Sequence, residues 1–99
     1  MFGLEQKVID LVLNYFTSKD KVLEVYIYGS RAMGKESKGS DIDFAIVTSS
    51  QDDLSGQVKL DLEELPTPYI FDVCDLKYLT NPSLYDHIKR VGKLFYKRS

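Results

Sequence analysis

Ten residues separate the pair Gly29-Ser30 from the triplet Asp41-Ile42-Asp43. The two ends suit two halves of one chemistry. A glycine at a turn lets backbone approach a ligand closely, a serine hydroxyl and free amides can hold phosphate oxygens, and an adjacent arginine can balance charge. Gly29, Ser30 and Arg31 therefore read as a grip on a triphosphate, with Arg31 equally able to pair with Glu36 or another acid. Asp41 and Asp43, two apart in extended chain, point to one face with α carbons roughly 6.6 Å apart. Like charges held so close repel, and a divalent cation relieves them. Oxygen-only ligands suit Mg²⁺, which takes few carboxylates plus water and substrate phosphates.

A pair of metals bridging attacking and leaving oxygens needs a further acidic ligand. The segment Pro68-Tyr69-Ile70-Phe71-Asp72-Val73-Cys74-Asp75-Leu76 offers two. Asp72 lies between Phe71 and Val73, where a charge is costly unless it has a partner or a metal. Asp75 comes at the end of the run, where a carboxylate can cap a short helix. Strand parity sends the two to opposite faces, and Asp72 is the expected third ligand.

The elements that must position these groups follow from local pattern. Val22 to Tyr28 alternates and is rich in β-branched and aromatic residues, Asp41 to Val47 does the same, and both read as strands. Leu4, Val8, Leu11, Val12, Tyr15 and Phe16 recur at helical spacing, so a helix is expected from about Phe2 to Thr17. A second is expected from Asp52 to Leu65, with Asp52 and Asp53 near its positive end and Pro66 and Pro68 stopping it. Asn81-Pro82 supplies a cap and first-turn proline for a last helix carrying Leu84, Ile88 and Val91, with Gly92 as its stop and a short strand at Leu94-Phe95-Tyr96. Ser30 to Lys35 reads as a short helix or turn, and Lys35 to Ser40 as a polar loop able to close over a bound triphosphate.

These elements predict an α/β (α+β) fold: a small mixed sheet of three to four strands with helices packed mainly on one face. The link between the first two strands is too short for a crossover helix, which favours antiparallel pairing. If Asp72 lies on the strand beside Asp41 and Asp43, its backbone is about 4.8 Å away and the three carboxylates can share metals.

Gly29-Ser30, ten residues, Asp41-x-Asp43 and a later strand bearing Asp72 resemble the DNA polymerase beta superfamily of nucleotidyltransferases, and more narrowly the minimal nucleotidyltransferases. The closing Leu84 to Tyr96 is similar to that family's terminal helix and strand. The resemblance implies a nucleotidyltransferase fold and metal-dependent transfer of a nucleoside monophosphate from a nucleoside triphosphate to a hydroxyl. ATP is the expected substrate and two Mg²⁺ ions the expected cofactor. Asp41, Asp43 and Asp72 would be the catalytic and metal-binding residues, and Gly29, Ser30 and Arg31 the nucleotide-binding ones. It further implies a partner, an all-helical HEPN ribonuclease that the chain neutralises as an antitoxin within a hetero-oligomer, with AMP passed to one of its tyrosines.

Composition narrows the field. At 99 residues and 43% hydrophobic content, residues 1–99 are expected to form one domain, too small for a second that would grip the acceptor. A partner is therefore expected. The net charge of −2 makes general nucleic-acid binding unexpected. Lys89, Arg90, Lys93, Lys97 and Arg98 read either as a solvated face with a frayed tail or as a local anion or partner contact. A lone cysteine and the lack of a membrane-length apolar run suit a reducing cytoplasm without membrane attachment. Cys74 reads as a small hydrophobe, His87 as a surface or half-buried polar residue, and one of Tyr26 and Tyr28 as a wall of the nucleotide pocket. Two other readings stay open: an antitoxin that blocks its partner by occlusion alone, and a transferase acting on a small molecule or RNA end.

Overall fold

A computed structural model describes residues 1–37, 39 and 41–99; Lys38 and Ser40 of the expected closing loop lie outside the described residues. Among the described residues the elements run α1 (Gln6–Thr17), β1 (Val22–Tyr28), β2 (Ile42–Thr48), α2 (Ser55–Glu63), β3 (Phe71–Asp75), a short 3-10 turn (Leu76–Tyr78), α3 (Pro82–Val91) and β4 (Lys93–Lys97). The strands form one sheet in the order β3-β2-β1-β4. β1 runs antiparallel to β2 and to β4, while β2 and β3 are parallel, so the sheet is mixed. The parallel step is the one bridged by a helix, α2, long enough to carry the chain back.

One face of the sheet carries Val25, Ile27, Ile42, Phe44, Ile46, Phe71 and Phe95 against Val8, Val12 and Phe16 of α1 and Val58 and Leu62 of α2. Phe44 is its aromatic centre, with ring centroids 5.6 Å from Phe16, 6.1 Å from Phe71 and 5.0 Å from Phe95. Burial of an aromatic ring at such a junction is worth about 3–5 kcal/mol against alanine. Because Phe44 follows Asp43, the core holds the strand that presents that carboxylate. Tyr15 adds a polar tie, donating to Asp61 across the α1–α2 gap at 2.6 Å.

The opposite face carries Tyr28, Ala45 and Cys74 against Ile88 of α3, with Leu76, Leu79 and Leu84 around them. Two helices thus cover one face and α3 the other. Asn81 accepts the Leu84 amide at 3.2 Å, Pro82 opens the helix, and Gly92 closes it by donating to Ile88 at 2.8 Å, as the residue types imply.

Two helices are shorter than their periodicity predicts. Phe2 and Gly3 take φ of 58° and 70°, a left-handed pair that delays α1 to Gln6. The Asp53 carboxylate accepts from both the Ser55 amide and hydroxyl, and α2 starts only there. At the other end of the chain, Arg98 is firmly placed rather than frayed. Its guanidinium donates to Phe16, Lys19 and Val22 carbonyls at 3.0, 2.8 and 3.1 Å, satisfying the open end of α1.

Candidate active site

The sheet brings one end of all four strands together: the last residues of β1 and the first of β2, β3 and β4. Asp43 stands opposite Tyr28 on one side and Asp72 on the other. Ile42 and Phe44 enter the α1–α2 core and Ala45 the α3 side, so alternation turns Asp43 to the α3 face. Phe71 and Val73 likewise send Asp72 to that face with Cys74. Asp41 is exposed just before β2, and Asp72 is exposed on β3.

Electrostatics tie the three together. Asp43 is half-buried, and its carboxyl is held above the usual 3.8 first by burial, then by the negative charges of Asp72 and Asp41. His87 and Arg31 oppose that rise. Asp43 is thus the inner member of a mutually repelling set, countered by two basic side chains.

Gly29 lies at the end of β1 with φ of 73°, which only glycine adopts freely. A Cβ there would stand 2.3 Å from Asp43 Oδ2, so the missing side chain leaves room for the carboxylate. The chain then coils tightly: Met33 donates to the Gly29 carbonyl at 3.2 Å and Lys35 to the Ser30 carbonyl at 2.8 Å. These are turns, one of the two forms expected for this segment. Ser30 is partly exposed at the corner.

Arg31 is 3% exposed, with Nη1 donating to the Phe2 carbonyl at 2.9 Å and the guanidinium 5.0 Å from the Tyr69 ring centroid. Its side chain buttresses the corner from beneath, and its charge reaches Asp43. Asp75 faces the α1–α2 side, where Oδ1 caps the short turn Leu76–Tyr78 by accepting the Lys77 amide at 3.1 Å. Parity separates it from Asp72 as expected.

Two further side chains stand at the site. Tyr28 is nearly buried, and its hydroxyl reaches over Ala45 to Cys74 Sγ at 3.9 Å. Burial chiefly, then Cys74 and the negative charges of Asp43 and Asp72, push its pKa upward and keep it neutral. His87 on α3 packs edge-on against Tyr28, centroids 6.1 Å apart, and is half-buried. No local pattern announces the proximity of His87 to Asp43, because it depends on where α3 docks. Cys74 is partly buried, and that burial raises its thiol pKa, which fits the hydrophobe reading. An apolar hollow of about 280 Å³, lined by Val22, Leu54 and Val58, lies at the opposite end of β1 from Gly29.

The residues fit a divalent ion by donor chemistry. Asp43 and Asp72 are carboxylates on one face of adjacent strands, Asp41 stands one residue before β2, and the absent side chain of Gly29 leaves room for the Asp43 carboxylate. Among the described residues no three carboxylate, imidazole or thiol groups form a ready-made metal cluster.

A family model described as polymerase beta, nucleotidyltransferase, matches residues 11–99. Solved structures similar in fold include a toxin–antitoxin complex with AMP-PNP, at 23% identity and a TM-score of 0.69, covering 97% of this chain and 76% of that one. Another is the toxin–antitoxin MntA-HepT, at 18% identity and a TM-score of 0.69, with 95% and 74% covered. A third is a tri-AMPylated Shewanella oneidensis HEPN toxin in complex with MNT antitoxin, at 20% identity and a TM-score of 0.63, with 91% and 73% covered. Comparison with curated proteins gives no significant match.

Proposed function

The chain belongs to the polymerase beta nucleotidyltransferase family, and on that basis we propose that it is a minimal nucleotidyltransferase antitoxin, moving AMP from ATP to a tyrosine hydroxyl of a helical HEPN partner. The observation that carries the reading is the register that sets Asp43 beside Asp72, with Gly29 leaving room for the Asp43 carboxylate. The structural neighbours, toxin–antitoxin complexes that include one with AMP-PNP and one with an AMPylated HEPN toxin, support the nucleotide and the partner.

Asp41 and Asp43 are the carboxylates that would hold a divalent ion at the triphosphate, and Asp72 is the one that would hold a second. When bound, Mg²⁺ supplies charge neutralisation across the phosphates and lowers the pKa of the attacking hydroxyl. Ser30 and the corner amides receive phosphate oxygens, and Arg31 braces that corner while adding positive charge near Asp43. The acceptor oxygen bonds to the α phosphorus as the bond to the αβ-bridging oxygen breaks. Pyrophosphate departs with that electron pair, and Asp72 accepts the hydroxyl proton. Tyr28, neutral and nearly buried, closes the floor of the site. The setting is a reducing cytoplasm, in which Cys74 stays a thiol.

The test is to incubate the chain with Mg²⁺, each labelled nucleoside triphosphate and the helical protein encoded beside it, and to locate added mass by mass spectrometry. One or more AMP units on a partner tyrosine are expected from ATP. An unmodified partner that is nevertheless silenced would replace transfer with occlusion.

A further inference from the structure

The end of the sheet is polar in charge. Across β3, β2, β1 and β4 it presents Asp72, then Asp43, then the Gly29 corner, then Lys93, a span of three strand spacings or roughly 14 Å. Beyond the corner, on the side away from Asp72, two adjoining hollows of about 400 Å³ and 580 Å³ share Ala32, Met33 and Lys93 as lining. Lys35 from the corner turn, Arg90 from α3 and Lys93 from β4 line the larger one. All three are exposed, and among the described residues none stands in an ion pair. Lys35 is tied directly to the corner, since its amide donates to Ser30. Glu36 lines the smaller hollow but is turned toward Gly3, where an added Cβ would meet its Oε2 at 3.0 Å.

We propose that Lys35, Arg90 and Lys93 form an anion subsite for the β and γ phosphates of the nucleotide and for the pyrophosphate released from it. The inference rests on the transferase reading. In-line displacement puts the attacking and leaving oxygens on opposite sides of the α phosphorus. With Asp72 on the acceptor side, the leaving group points across the glycine corner toward β4, where three cations from separate elements line one open groove. Exposed cations there attract a polyanion without the desolvation cost of burial, and each adds a modest increment.

The decisive measurement is the affinity of the intact chain, with Mg²⁺, for ATP, AMP and inorganic pyrophosphate, in wild type and in Lys35→Gln, Arg90→Gln, Lys93→Gln and the triple variant. Each single change should weaken ATP and pyrophosphate about threefold, and the triple about 30-fold, at low salt. AMP, which lacks the tail, should change less than about twofold, because it bears no charge in the groove. An unchanged ratio of ATP to AMP affinity would overturn the subsite, as would loss of partner binding with nucleotide affinity intact. If wild type transfers no AMP yet pyrophosphate binding still needs the three cations, the transferase reading fails and the subsite stands. If wild type transfers AMP while the triple variant keeps its full ATP affinity, the subsite fails and the transferase reading stands.

Discussion

Gly29 and Asp43 compete for one space: the Asp43 carboxylate occupies the position where a side chain on residue 29 would begin, with Oδ2 2.3 Å from an ideal Cβ. The glycine thus serves the aspartate as well as the turn. Backbone with φ of 73° and a neighbouring carboxylate both disfavour any larger residue. Gly29→Ala should destabilise the chain by about 1–2 kcal/mol from the left-handed conformation alone. For a domain of this size that is a fall in Tm of about 4–16 °C. Transfer should fall further than stability, since Asp43 is pushed aside. A variant that melts lower yet transfers at the wild-type rate would separate the glycine from the chemistry.

Asp43→Asn should do the opposite to stability. Burial and the charges of Asp41 and Asp72 raise the Asp43 pKa in the folded chain. Between its ordinary value and the raised one, the folded chain holds a proton that the unfolded chain has lost, so ionisation costs stability as pH rises through that window. Removing the charge should raise the Tm at neutral pH and flatten its decline across the weakly acidic range. Transfer should be lost. Thermal melts of both proteins over that range, without divalent ions, provide the check, and a lower Tm for the variant would count against the repulsive set.

Asp72→Asn separates chemistry from folding more cleanly. Asp72 is exposed, so the Tm should move by no more than the equivalent of about 0.5 kcal/mol. The rate of AMP transfer should fall by about 100- to 10,000-fold if it accepts the hydroxyl proton. Binding of ATP should persist, because Ser30 and the corner are untouched. Silencing of the partner by the Asp41→Asn, Asp43→Asn double variant would instead favour occlusion.

Arg98→Ala should destabilise without touching the site. Its guanidinium holds carbonyls of Phe16, Lys19 and Val22, and charge-assisted hydrogen bonds of this kind are worth about 1.5–3 kcal/mol. Urea melts should report that loss, while transfer per folded molecule stays at the wild-type level.

Much of this arrangement was legible in the chain because it is local. Period-two alternation placed β1 and β2, the short link between them favoured antiparallel pairing, and residue types at helix ends marked Asp75, Asn81, Pro82 and Gly92 as caps. Strand parity alone separated Asp72 from Asp75. Helix starts were less legible: the left-handed Phe2-Gly3 pair and the Asp53 carboxylate delay α1 and α2 by interactions that hydrophobic periodicity does not record.

The order of residues along the chain dictated which chemical groups are present and the face to which each strand turns them, since both follow from residue type and the geometry of extended chain. Folding in three dimensions added that β3 lies beside β2 with Asp72 opposite Asp43, that α3 brings His87 to the site face, and that Arg31 and Arg98 donate to backbone carbonyls far away in sequence. Those outcomes depend on strand adjacency, register and helix docking. Each is settled by packing between segments distant in the chain, and no local period encodes it.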